Sequence, residues 1–183
     1  VLTYDDVMNQ QRAIIYKQRG EVLNGDDVSD TVIGMIKGTV ADAVEEYTRA
    51  ENHEDWDLEG LRSNYMGLLC TPDDFEYTAE EKKKLKKSDL TDMLTERAMK
   101  LYEEKEQLFG TEIFHEVERS VLLRNVDSHW MDHIDAMDNL EHEIGLQAYA
   151  QRDPVNEYRI VGAEMFDSMV AEIRDGTVRM LLS

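Results

Sequence analysis

Residues Asp127–Tyr158 read DSHWMDHIDAMDNLEHEIGLQAYAQRDPVNEY, and they decide the fold because they contain most of one helical stripe, a stop, a short turn and a restart. Apolar residues Leu123, Val126, Trp130, Ile134, Met137, Leu140 and Ile144 recur every three or four positions, the spacing of one face of an α-helix. Gly145 can take the left-handed conformation that closes a helix. Asp153 can cap the next helix, and Pro154 suits its first position, where the missing N–H costs nothing. Tyr158, Val161, Met165, Met169 and Ile173 then form a second stripe. A turn this short forces the arms antiparallel, and the stripes can zip with coiled-coil-like packing. The expected hairpin core is Trp130, Ile134, Met137 and Leu140 from one arm, with Met165 and Met169 from the other. The turn carries one aromatic residue, Tyr149.

The rest of the chain extends the same pattern. A helix is expected over residues 4–23, with Tyr4, Met8, Ile15 and Val22 near one face and Gln11 and Gln18 interrupting it. So sparse a stripe predicts apolar groups left uncovered among Val7, Met8, Ile14 and Ile15, a patch of the kind that drives association. Asn24-Gly25 is a stop signal. Val32, Ile36, Val40, Val44 and Tyr47 form the face of a second helix. Asp57 reads as the cap of a short helix with Leu58, Leu61, Tyr65 and Leu68. Residues 71–88 are charged and weakly periodic, a loop with at most a turn of helix. Ser88 reads as the cap of a helix carrying Leu90, Leu94, Ala98, Leu101 and Leu108, which Gly110 ends or kinks. From Thr111 a long helix runs to Ile144. No segment has the period of a strand, and the fold class expected is all-α.

Composition bounds the function. The 183 residues carry a formal net charge of −20, which repels nucleic acid and leaves basic partners open. The single cysteine, Cys70, permits no intramolecular disulfide and fits a reducing compartment. It lacks a neighbour to activate it, so a buried or idle thiol is expected. No apolar run approaches the roughly 20 residues of a membrane span, and no signal peptide is seen. The chain opens on VLTYDDV without an initiator methionine, as expected of a portion of a longer protein. No glycine-rich phosphate cradle appears, so no nucleotide hydrolysis by this chain is expected. His129 and His133 are one helical turn apart in HWMDH, the spacing of a zinc hydrolase. Trp130 stands where that motif has its glutamate, however, and a third ligand is missing. The simpler reading is two solvated or salt-bridged histidines beside a buried Trp130. The lysines at 82, 83, 84, 86 and 87 read as a solvated face, and the ten methionines as packing. A helical metal-dependent hydrolase and a free-standing coiled-coil adaptor are the competing functional readings.

Three stretches carry a family resemblance. YDDVMNQQRAIIYKQR at Tyr4–Arg19, WDLEGL at Trp56–Leu61 and the opening segment Asp127–Tyr158 resemble, in order, the C-terminal region of SecA, the bacterial preprotein translocase motor. The resemblance implies a layout: residues 1–25 as part of a long scaffold helix, 26–109 as the helical wing domain, and 110–183 as a two-helix finger. It implies that the finger tip, with Gln147, Ala148, Tyr149, Gln151 and Arg152, meets the SecY channel and the unfolded preprotein. It also implies that the finger restrains the ATPase until channel and substrate engage. The scaffold helix would pack on nucleotide-binding and preprotein-crosslinking domains of the same motor, and a second copy of the motor is a further candidate partner. ATP and magnesium would be bound by those other domains, with no cofactor or metal in this portion, and with zinc held only by a separate C-terminal tail. The implied location is cytoplasmic, peripheral on the inner membrane. Relatives commonly place Arg-Gly before the tyrosine where this chain has Gln147-Ala148, so the tip is less basic and Arg152 is the charge left to it.

Overall fold

The computed structural model describes residues 1–25, 28–147 and 153–183. Among these, seven α-helices and one 3-10 turn account for the regular structure, with no strand. Thr3 starts α1 (Tyr4–Asn24) through a capping box: the Asp6 N–H donates to Thr3 Oγ1 at 3.1 Å, and the Thr3 N–H donates to Asp6 Oδ2 at 2.9 Å. In α2 (Val28–Tyr47), Val32, Ile36, Val40 and Val44 step by one turn and are all buried. A 3-10 turn at His53–Asp55 follows, and the Trp56 indole N–H donates to the Ala50 carbonyl at 2.9 Å. Asp57 caps α3 (Leu58–Asn64) by accepting from the Gly60 N–H. Thr78 caps the short α4 (Ala79–Lys84), so the lysine run lies partly on a helix. Lys83 pairs with Glu54 at 3.2 Å and Lys87 with Glu45 at 3.1 Å.

The next helix, α5 (Lys87–Phe109), starts one residue before Ser88, which is therefore not its cap. The Lys86 N–H donates to Asp89 Oδ2 at 2.9 Å and closes the helix end instead. Its apolar stripe also ends differently. Leu90, Leu94 and Ala98 are buried, but Tyr102 takes the next inward position, and Leu108 is 75% exposed. Steps of 3.6 residues carry the face past Leu101 and away from Leu108. Gly110 has φ +82°, a conformation only glycine takes at little cost, and the chain turns there into α6.

The 36 residues of α6 (Thr111–Leu146) make a rod of about 54 Å. The helix continues past Gly145, which lies inside its last turn rather than closing it. Near its start the inward residue is Leu122 rather than Leu123. Asp153 caps α7 (Pro154–Leu182), accepting from the Asn156 N–H at 3.1 Å, with Pro154 at the first position.

The two long helices α6 and α7 have the most extensive contact in the molecule and form an antiparallel pair. Helix α2 packs on α7 and α5, and α5 touches both long helices. The main core runs through Val32, Ile36, Leu90, Leu94, Leu122, Trp130 and Ile173. Helix α1 also lies against α6 and α7. This covers more of α1 than its sparse stripe suggests: Val7 and Ile15 are buried, Met8 is half-buried, and Ile14 stays exposed, as do Tyr16 and Leu23. Cys70 is buried, and burial pushes its thiol up to about 11.

Candidate interaction site at the end of the hairpin

Toward the end of the α6–α7 pair the packing narrows to a second, smaller core of Val7, Met137, Ile144 and Tyr158, flanked by Tyr4, Met8, Leu140 and Met165. Tyr4 of α1 meets Tyr158 of α7 edge-on, with ring centroids 5.0 Å apart. Burial, with Glu141, Asp138 and Asp5 nearby, pushes the Tyr158 hydroxyl up to about 12. Beyond Ile144 the cover stops. Leu146 is 70% exposed, and Gln147 is exposed with its N–H turned back to the Glu143 carbonyl at 3.2 Å. Ala148, Tyr149, Gln151 and Arg152 lie outside the described residues. The described flanks of the turn are thus an exposed helix end at Gln147 and the capped start at Asp153.

The hairpin residues fall into two groups. Trp130, Met137 and Met169 are buried, while Ile134, Leu140 and Met165 are half-buried against the same cores. The first arm is also tied to α1 by polar contacts. Gln11, which interrupts the stripe of α1, is buried, and its amide nitrogen donates to the Gly162 carbonyl of α7 at 3.1 Å. Its Oε1 then faces His133 Nε2 at 2.6 Å, so the His133 Nε2–H donates. One side chain of α1 thereby reads both arms at one level. A Cβ at position 162 would meet Gln11 Nε2 at an ordinary 3.5 Å and would press instead on the flexible end of Met137, with Cε at 2.6 Å.

His133 is therefore not a solvated histidine but a buried, neutral donor. It packs beside Trp130 (centroids 5.5 Å apart) and edge-on to Phe166 (5.8 Å). The difference comes from Gln11, which supplies an acceptor that no neighbour in sequence provides. His129 is half-buried, with Nδ1 at 2.8 Å from the Asn125 carbonyl and Nε2 at 3.9 Å from Glu172. Among the described residues no group of three or more His, Cys, Asp or Glu side chains is placed to hold a metal ion. The histidine pair of the hydrolase reading is thus engaged one by one with α1 and with its own helix.

Burial holds the His133 pKa below its ordinary value. Folding then favours neutral His133. Its contribution is complete above about pH 6.5, the unfolded value, and is lost as pH falls from there toward the lower folded value. Urea unfolding at pH 7.5 and 5.5 is expected to show a larger loss of stability on acidification in the wild type than in His133→Asn. Equal losses would mean that His133 charges freely in the folded chain.

The two residues that position the hairpin, Gln11 and His133, leave only a weak trace in sequence: a glutamine and a histidine at inward helical phase. The whole chain, residues 1–183, matches the family described as SecA Wing and Scaffold domain. Proteins named protein translocase subunit SecA are similar along its length. That of Pelotomaculum thermopropionicum is 44% identical over 182 residues, covering 99% of this chain and 20% of the relative. That of Acetivibrio thermocellus is 43% identical over 185 residues, covering 100% and 20%. That of Clostridium botulinum strain Eklund 17B is 44% identical over 183 residues, covering 100% and 22%. The chain spans about a fifth of the length of these relatives.

Proposed function

Because the chain belongs to the SecA wing and scaffold family, we propose that it works as the scaffold, wing and finger of an ATP-driven protein translocation motor. In this reading residues 1–25 belong to the scaffold helix, 26–109 form the wing and 110–183 form the finger. The finger carries displacement to a channel of the SecY kind and to an unfolded preprotein, and it restrains the motor's ATPase. The nucleotide chemistry, with ATP and magnesium, lies with other domains of such a motor, and the assembly works at the cytoplasmic face of the membrane. No helix among the described residues is long and apolar enough to cross a membrane itself.

The observation that supports this reading best is mechanical. A continuous 36-residue helix is braced by a 29-residue partner and held to α1 by Gln11, while its far end at Leu146 and Gln147 is left uncovered. Helices resist compression along their hydrogen-bonded axis, so a pair braced along its length transmits a push to its end. The test is addition in trans. The 183-residue chain, added to a full-length SecA relative from which the corresponding residues have been deleted, is expected to bind it and to lower its ATPase. A chain that neither binds nor lowers the rate would remove the restraining role.

A further inference from the structure

Helices α2 to α5 join the rest of the chain at two crossings, α1 to α2 and α5 to α6. Both crossings meet at two adjacent side chains of α6, Glu118 and Arg119. Glu118 is 0% exposed. Its Oε2 accepts from the Tyr102 hydroxyl, near the end of α5, at 2.9 Å. Its Oε1 accepts from the Ser29 hydroxyl, in the first turn of α2, at 3.0 Å. His115 Nδ1 lies 2.8 Å from Ser29 Oγ and 3.2 Å from the same Oε1, which closes a triangle. Arg119 faces the α1–α2 crossing from the α1 side. Its Nε–H donates to the Val22 carbonyl at 3.1 Å and its second terminal nitrogen to the Gly25 carbonyl at 2.9 Å, so it covers acceptors at the end of α1.

These contacts are not what packing alone would choose. Phe114, Leu122 and Val126 follow the same stride and are buried, so an apolar residue at 118 would complete the stripe. A buried carboxylate is costly unless several donors converge on it. Once satisfied, such a network admits few alternative arrangements. Each crossing also contains a glycine, Gly25 at one and Gly110, at φ +82°, at the other.

We propose that Glu118 and Arg119 form a clasp that closes both crossings of α2–α5 onto the root of the hairpin and fixes the angle at which those helices leave it. The clasp is independent of what the hairpin touches. Hydrogen exchange on the 183-residue chain tests it. In Glu118→Gln the amides of residues 32–35 and 114–117, which depend on the first turns of α2 and α6, are expected to exchange at least about tenfold faster, while those of α3 and mid-α7 keep their wild-type rates. Spin labels at the exposed positions Glu80 and Asp138 should give a broader distance distribution in the same variant. Uniform acceleration in all helices would make Glu118 a general stabiliser and overturn the clasp, as would unchanged rates. Should Glu118→Gln fail to fold, Ser29→Ala and Tyr102→Phe each remove one donor. Their effects on the same amides are expected to be non-additive in the double variant, and strict additivity would overturn the proposal.

Discussion

Trp130→Ala is expected to lower the unfolding free energy by about 3–5 kcal/mol, the largest single-residue loss in the hairpin. Trp130 is 6% exposed and belongs to the main core together with Ile15 of α1 and Phe166 and Met169 of α7. It therefore stands where three helices meet, and truncation leaves a void that no one of them can close alone. Its neighbour His133 would lose one wall of the pocket that keeps it neutral, so the Gln11 contacts between α1 and the arms should loosen with it. The indole N–H has no hydrogen-bond acceptor among the described residues. The ring thus acts through its area, and Trp130→Phe, which leaves a smaller void, should cost less than Trp130→Ala. Urea unfolding followed by circular dichroism measures both. A Trp130→Ala loss within about ±0.5 kcal/mol would be a surface effect and would remove Trp130 from the core.

The helices were legible because their inward faces repeat. Val32, Ile36, Val40 and Val44 step by one turn, and the structure buries all four. The antiparallel pair was legible for another reason: its stop and restart signals lie so close together that only one chain direction is possible. What periodicity could not convey is contact between residues far apart in sequence. Gln11 looks like a flaw in a stripe until His133, 122 residues away, and Gly162, 151 residues away, are placed beside it. Glu118 looks like one of many surface acids until Ser29 and Tyr102 arrive from two other helices. In both cases the trace was a polar residue at an apolar phase, which sequence alone reads as weak helix amphipathicity. At Ser88 the cap differs from the one expected for a local reason. Several residues of KKSDL can close a helix start, and the one used depends on where Leu90 must point once the core forms. The finger, wing and scaffold roles belong to the resemblance, since no stripe or cap encodes a channel or a substrate.

In a full-length motor of this family, Tyr149→Ala is expected to cut protein transported per ATP by about tenfold or more, as the loss of an aromatic anchor at the centre of a contact does. The reasoning starts from the flanks. Ile144 and Tyr158 already fill the last inward positions of the two arms, Gln147 is exposed, and Asp153 is spent on capping α7. The hairpin core thus has no evident need of Tyr149, and the substitution should change the stability of the 183-residue chain by no more than the usual surface range of about ±0.5 kcal/mol. A tyrosine offers a large contact area with few rotatable bonds, together with a hydroxyl, so it can grip an unfolded chain of varied sequence at low entropic cost. Tyr149→Phe and Tyr149→Trp should therefore keep much more transport than Tyr149→Ala, because apolar area supplies most of the grip. Nucleotide hydrolysis should fall far less than transport, since the change removes a contact with the load and leaves the nucleotide chemistry of other domains intact. Two measurements separate the outcomes: the melting temperature of the chain and transport per ATP in reconstituted vesicles. A large drop in melting temperature would make Tyr149 a lid on the hairpin end. Unchanged transport per ATP would leave the tip without its assigned load, and the working contact would then have to lie along the arms.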